Sequence, residues 1–214
     1  MNNTNFMKSE SLFYFNSPKE FKAFILKLGF IEDWTIKRGL MNRRGFEISD
    51  KQYTIFLRNK FKEKGFFRRN VSVAEIVTWL DNFLLVDRFL KELEIQVGTK
   101  YYNQLEIFVE YRIRLSKNMR IDYIFKHKEK VCSVEFRTIE TFEKIRPTWS
   151  KKKSELLIYK EMMLNYSIFD KYLTYAFIAL YEYSKATPIY KHIEYNNNQI
   201  KYLSMYLREF MFNF

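Results

Sequence analysis

The sequence predicts an α/β fold, on three observations. Apolar residues fall at helical spacing in the first ninety positions, the period changes to two from residue 103, and a helix and an apolar β-rich run then follow in turn. A helical, basic N-terminal region is expected over residues 1–70 and a core domain over 71–214.

Each element has a local reason. Ser17-Pro18 is a helix start, with Pro in the first turn and Glu20 behind it. Phe21, Phe24, Ile25 and Leu28 then share a face, and Gly29 stops the helix. A second helix is expected from Ser49 or Asp50 to Lys64, ended by Gly65, and a third from Ser72 to Leu93, where Ser72 and Glu75 form a capping box. Leu105, Ile107, Val109, Tyr111 and Ile113 alternate with Glu106, Glu110, Arg112 and Arg114, which reads as a strand. Ser116 to Asn118 is turn chemistry, and strands follow over 120–126 and 131–137. Thr148 or Ser150 caps a helix to about Asn165, residues 172–183 read as a buried strand, and Asn196 to Asn198 break the chain before a last helix over 199–212.

Composition removes several function classes. Cys132 is the only cysteine, so there is no disulfide framework and no thiolate zinc site. His127 and His192 are the only histidines, too few for a histidine-built metal centre. The five glycines all lie at or before Gly98, and none is spaced as a phosphate-cradling loop. Residues 1–10 lack the apolar run of a signal peptide, and the best apolar stretch, 173–181, is short of the roughly 20 residues of a membrane helix. These features suggest a soluble protein of a reducing compartment, the cytoplasm, with no membrane partner.

Charge supplies the positive signal. Lys and Arg total 37 against 25 Asp and Glu, a net charge of +12, which attracts polyanions and nucleic acid first. Arg58, Lys60, Lys62, Lys64, Arg68 and Arg69 form one cluster, and Lys151, Lys152 and Lys153 a second. A third, Lys126, Lys128 and Lys130, reads as a solvated hairpin tip.

The hairpin holds the chemistry. With residues 127–130 as its loop, Ile124 faces Ser133 and Asp122 faces Glu135. Ile121, Tyr123, Phe125, Cys132, Val134 and Phe136 then form the core face. Two carboxylates directly opposite on a sheet repel. Arg120 and Arg137 could neutralise them, a proton could be shared, or a hard divalent cation could bind both. Glu106 and Glu110 are either extra ligands or solvated strand residues.

Asp122, then Glu135-Phe136-Arg137, then Glu155-Leu156 and Tyr159 resemble the PD-(D/E)XK, or restriction-endonuclease-like, nuclease superfamily, in particular its RecB-type branch. There the pattern is an Asp on one strand, Glu-x-Lys on the next, and Gln-x-x-x-Tyr on the following helix; Arg120-Ile121-Asp122-Tyr123-Ile124 is typical of that branch. The resemblance spans roughly residues 104 to 183 and implies an α-β-β-β-α-β core, a mixed sheet flanked by helices. It also implies phosphodiester hydrolysis dependent on Mg²⁺ or Mn²⁺. Asp122, Glu135 and the carbonyl of Phe136 would be the metal ligands, with Asp122, Glu135, Arg137, Lys153 and Glu155 as the catalytic set. Arg58, Lys60, Lys62, Arg68, Arg69, Lys151, Lys152 and Tyr159 would contact nucleic acid, DNA first, although Tyr159 also fits a core position. Arg137 stands in the lysine position, Glu155 in the glutamine position, and no upstream histidine is present. An arginine cannot act as a general base, so a catalytically degenerate nucleic-acid-binding subunit of the same fold is the alternative. The oligomeric state is open between a homodimer and a subunit of a larger complex.

Overall fold

The structure, a computed structural model, describes residues 3–31, 48–65, 70–113, 119–166, 171–180 and 193–213. A five-stranded mixed sheet runs in the order β1-β2-β3-β4-β5. β1 is Ser11–Phe15, β2 Glu106–Arg112, β3 Arg120–His127, β4 Lys130–Ile139 and β5 Lys171–Leu180. The first four pair antiparallel in succession, and β5 lies parallel to β4 after a helical crossover. The helices are α1 (Asn3–Ser9), α2 (Pro18–Leu28), α3 (Gln52–Lys64), α4 (Val73–Val97), α5 (Thr99–Tyr102), α6 (Ile145–Tyr166) and α7 (Ile193–Leu207). A 3₁₀ turn, Phe142–Lys144, leads into α6, and a π turn, Arg208–Phe212, ends α7. None of the helices described is long and apolar enough to cross a membrane.

The caps expected at Ser17, Gly65 and Ser72 are present. Ser17 accepts from the Glu20 amide and Ser72 from the Glu75 amide, each satisfying a donor that the helix cannot pair. Gly65 ends α3 with φ of 60°, a left-handed turn that a side chain would strain. The sheet buries both faces. On one, α2, α3, α4 and α7 cover a large core that includes Phe21, Leu57, Phe83, Phe89, Phe125 and Leu203. On the other, Leu156, Tyr159 and Met163 of α6 pack on Phe108, Ile124, Val131 and Ala176.

Five features differ from expectation. Ser11–Phe15 is a strand where only helix was expected, and its Phe13 and Phe15 seal the large core with Phe24 and Phe83. Strict alternation in β2 stops at Glu110, whose φ is 54°, so Tyr111 and Ile113 join Phe108 rather than Val109. Ile121, the register partner of Tyr111, follows it to the smaller core, while Tyr123, Phe125, Cys132, Val134 and Phe136 keep the expected face. α6 begins at Ile145 instead of Thr148 or Ser150, because Pro147 is tolerated in a first turn that needs no amide donor. α7 runs through Asn196 to Asn198, since Asn196 is spent on the sheet. It donates to the Leu180 carbonyl and accepts from the Leu180 amide, and Gln199 does the same for Ile178. Two amide side chains thereby close part of the edge of β5 as another strand would. Residues 181–183 of the expected strand, Arg114 to Asn118 of the expected strand end and turn, and His192 lie outside the described residues.

Candidate active site

The hairpin sets the site. β3 and β4 pair with Ile124 opposite Ser133 and Tyr123 opposite Val134, the register expected from the turn, which occupies Lys128 and Glu129. One step beyond the ladder the side chains take over. The Asp122 amide donates to Glu135 Oε1 at 3.0 Å, and the Phe136 amide donates to Asp122 Oδ2 at 2.7 Å. Each acid thus bonds the backbone of the opposite strand, which fixes both carboxyls side by side.

α6 brings the third group. Lys152 Nζ donates to Glu135 Oε2 and to Glu155 Oε2, each at 2.8 Å. Lys152, Glu155, Tyr159 and Met163 are spaced by three or four residues, with Leu156 four after Lys152, so all five share the face turned to the sheet. Side-chain exposure is 3% for Glu135 and 15% for Lys152, so the pair is largely removed from water.

The charge count is uneven. Asp122, Glu135 and Glu155 face the ammonium of Lys152, and the Arg120 guanidinium that also acts on Asp122 is shared with Glu75 and Glu110. Burial pushes the Asp122 carboxyl up, and burial followed by repulsion from Asp122 pushes Glu135 up. Desolvation alone would lower Lys152, but Glu135 and Asp122 outweigh it and hold the ammonium above its usual range. These shifts pull in opposite directions for an ion pair, one favouring a neutral carboxyl and the other a charged lysine. Excess negative charge reconciles them: Lys152 stays protonated, and the carboxyls carry a surplus that a proton or a cation would relieve.

The remaining expected residues are distributed as follows. Glu155 is at the site through Lys152, and Phe136 is there through its amide, with its ring buried against Tyr123 and Phe177. Arg137 is exposed on β4 beyond Phe136. Lys153 is turned away from the carboxylates and lines a separate cavity, so Lys152 holds the position expected of it. Tyr159 is buried in the smaller core and presents no stacking face. Lys151 and Lys62 are exposed; Arg58 is half-buried and donates to the Ser49 carbonyl, and Lys60 pairs with Glu63 at 3.2 Å. Arg68 and Arg69 lie outside the described residues.

Four charged residues have partners beyond those expected. Arg120 bonds Glu75 of α4 and lies 2.7 Å from Glu110, and its charge also favours the Asp122 carboxylate. Glu110 is not solvated: it is buried, its carboxyl raised by desolvation, in spite of Arg120, and further by repulsion from Asp122 and Glu75. Glu106 is taken by Lys126 and by the Tyr14 hydroxyl at 2.9 Å, so Lys126 is a buried partner rather than part of a hairpin tip.

Among the described residues no three of His, Cys, Asp and Glu converge as a metal-holding group. The oxygen donors on hand are Asp122 and Glu135. Two carboxylates suit Mg²⁺, which keeps several waters and takes further oxygens from a phosphate, better than an ion that needs a protein-built cage. The chain matches no family model, no curated protein and no solved structure.

Proposed function

We propose that this chain is a metal-dependent nuclease acting on nucleic acid, with Asp122 and Glu135 as its metal-holding pair. One observation carries the reading: two acids from adjacent strands, each pinned by the other strand's backbone, face a lysine from the next helix with negative charge in excess. Apart from the one-turn α5 and the 3₁₀ turn, the element order α4-β2-β3-β4-α6-β5 supports it, because it matches the α-β-β-β-α-β succession of the superfamily whose motif the sequence resembles. The net charge of +12 supports a polyanionic substrate.

Asp122 and Glu135 would hold Mg²⁺ or Mn²⁺ together with water and a phosphate oxygen. When bound, such an ion polarises the phosphodiester and lowers the pKa of a coordinated water. The chain's own groups do the rest. Lys152, exchanging Glu135 for a phosphate oxygen, stabilises the charge that builds there in the transition state. Glu155 keeps the Lys152 ammonium oriented. Exposed Arg137 neutralises the phosphate without proton transfer. Lys62 and Lys151 contact the backbone of the polymer, a sequence-tolerant and salt-dependent grip.

A second reading, a nucleic-acid-binding subunit that has lost catalysis, is favoured by Lys152 itself, whose ammonium already bridges Glu135 and Glu155 and holds a Glu135 oxygen that a metal would need. Incubating single- and double-stranded DNA with the protein in Mg²⁺ or Mn²⁺ decides. Cleavage by the wild type that disappears in Asp122→Ala, with binding retained, is the expected result. Binding without cleavage in either metal leaves the second reading, and no binding at low salt defeats both.

A further inference from the structure

We propose that the open cavity between α6 and α7 is a stacking subsite for unpaired nucleotides, so that the polymer bound here is single-stranded where it leaves the carboxylates. The inference takes its substrate class from the nuclease reading and adds a site that reading does not use. Ala176 lines the cavity, and Ala176 is the register partner of Glu135 on the neighbouring strand. Adjacent strands lie roughly 4.8 Å apart, so the floor of the cavity begins one strand from the acidic pair. α6 serves both places: Lys152 turns to the carboxylates, and Lys153, the next residue, lines the cavity.

The lining suits a base. Trp149 is 44% exposed, and the half-buried Tyr206 and Tyr175 line the same cavity with ring centroids 5.6 Å apart. Tyr202, one helical turn before Tyr206 and outside that lining, is 61% exposed. An exposed tryptophan with a lysine four residues on can stack a base and pair with its phosphate. The cavity measures about 300 Å³, room for a base but not for a duplex, whose base faces are already stacked inside. Along β5 the edge is closed at Ile178 and Leu180 by Gln199 and Asn196, so the subsite ends where that closure starts.

The test is fluorescence anisotropy in EDTA, with a labelled single strand of about 12 nucleotides and its duplex as probes. Trp149→Ala should weaken single-strand binding about tenfold while duplex binding changes by less than about twofold, and Trp149→Phe should restore most of the loss. Tyr202→Ala, at a surface position, should shift the preference in the same direction without touching the core. Equal losses for both probes, or none for either, overturn the subsite and leave the groove to a peptide strand added along β5. The two proposals fail separately. A wild type that never cleaves but loses single-strand binding with Trp149 keeps the subsite. Cleavage that needs Asp122, with unaltered single-strand binding in Trp149→Ala and Tyr202→Ala, keeps the nuclease alone.

Discussion

Replacing Lys152 by Met tests the charge arrangement most directly. Methionine keeps the length and packing of the stem and deletes the ammonium. Glu135 is then left 3% exposed beside Asp122 with no cation at 2.8 Å. Breaking a buried pair from one side costs about 3–5 kcal/mol, because the surviving charge stays out of water. The second contact, to the half-exposed Glu155, adds no more than about 1 kcal/mol. Urea unfolding in metal-free buffer above about pH 8, where the Glu135 carboxyl carries its charge, should therefore show Lys152→Met less stable by up to about 3–5 kcal/mol. Lys152→Met/Glu135→Gln should recover most of that loss, since an amide can keep the bond from the Asp122 amide without a charge. A divalent metal gives the functional arm. With the competing ammonium gone, saturating Mn²⁺ should stabilise Lys152→Met more than the wild type, by up to about 2.7 kcal/mol at a hundredfold excess over Kd. If the single and double variants are equally unstable, the loss is packing and the electrostatic account fails. If Mn²⁺ stabilises neither form, the acidic pair does not hold a metal.

Other consequences can be measured independently. The Glu110 carboxyl is raised from 4.5 to about 8, so the folded state binds its proton more tightly than the unfolded chain does. That contribution is complete below pH 4.5 and is lost as pH rises toward 8, and Glu135 acts with the same sign. Stability should therefore fall across this window, and Glu110→Gln should flatten the slope; a curve of unchanged slope contradicts the assignment. Asn196→Ala should cost about 1–3 kcal/mol by leaving the buried Leu180 amide and carbonyl unpaired, read by thermal unfolding. Gly65→Ala should cost about 1 kcal/mol through its φ of 60°, although nothing crowds the position. Ser72→Ala should cost about 1 kcal/mol by removing the cap of α4.

The hairpin register was legible because a two-strand hairpin has one axis: once the turn is placed, every pair follows, as Lys126 with Val131 and Ile124 with Ser133 show. Local caps at Ser17 and Ser72 were legible for the same reason, since their signals lie within one turn. Long-range features were not. A five-residue strand such as Ser11–Phe15 is shorter than a reliable alternation pattern, though its Phe-Tyr-Phe run before Ser17 is a usable clue. The left-handed backbone at Glu110 has no residue signature, because glutamate rarely adopts it. Choosing Lys152 over Lys153 was within reach. Lys152 lies three residues before Glu155 and seven before Tyr159, on the face that the apolar residues of α6 already mark as inward.

The hairpin that carries the acids is also moored at its tip. His127 Nδ1 is 3.0 Å from the Met211 carbonyl, its ring lies against Phe212, and Lys130 bonds Asn213. Five residues of strand, about 17 Å, separate that mooring from Asp122. β2 and β5 hold β3 and β4 along their ladders, so the spacing of the two acids is set by the sheet, and the mooring secures the one part of the hairpin that those ladders leave to a two-residue turn. Residues 211–213 are thus tied to the same two strands that carry the carboxyls.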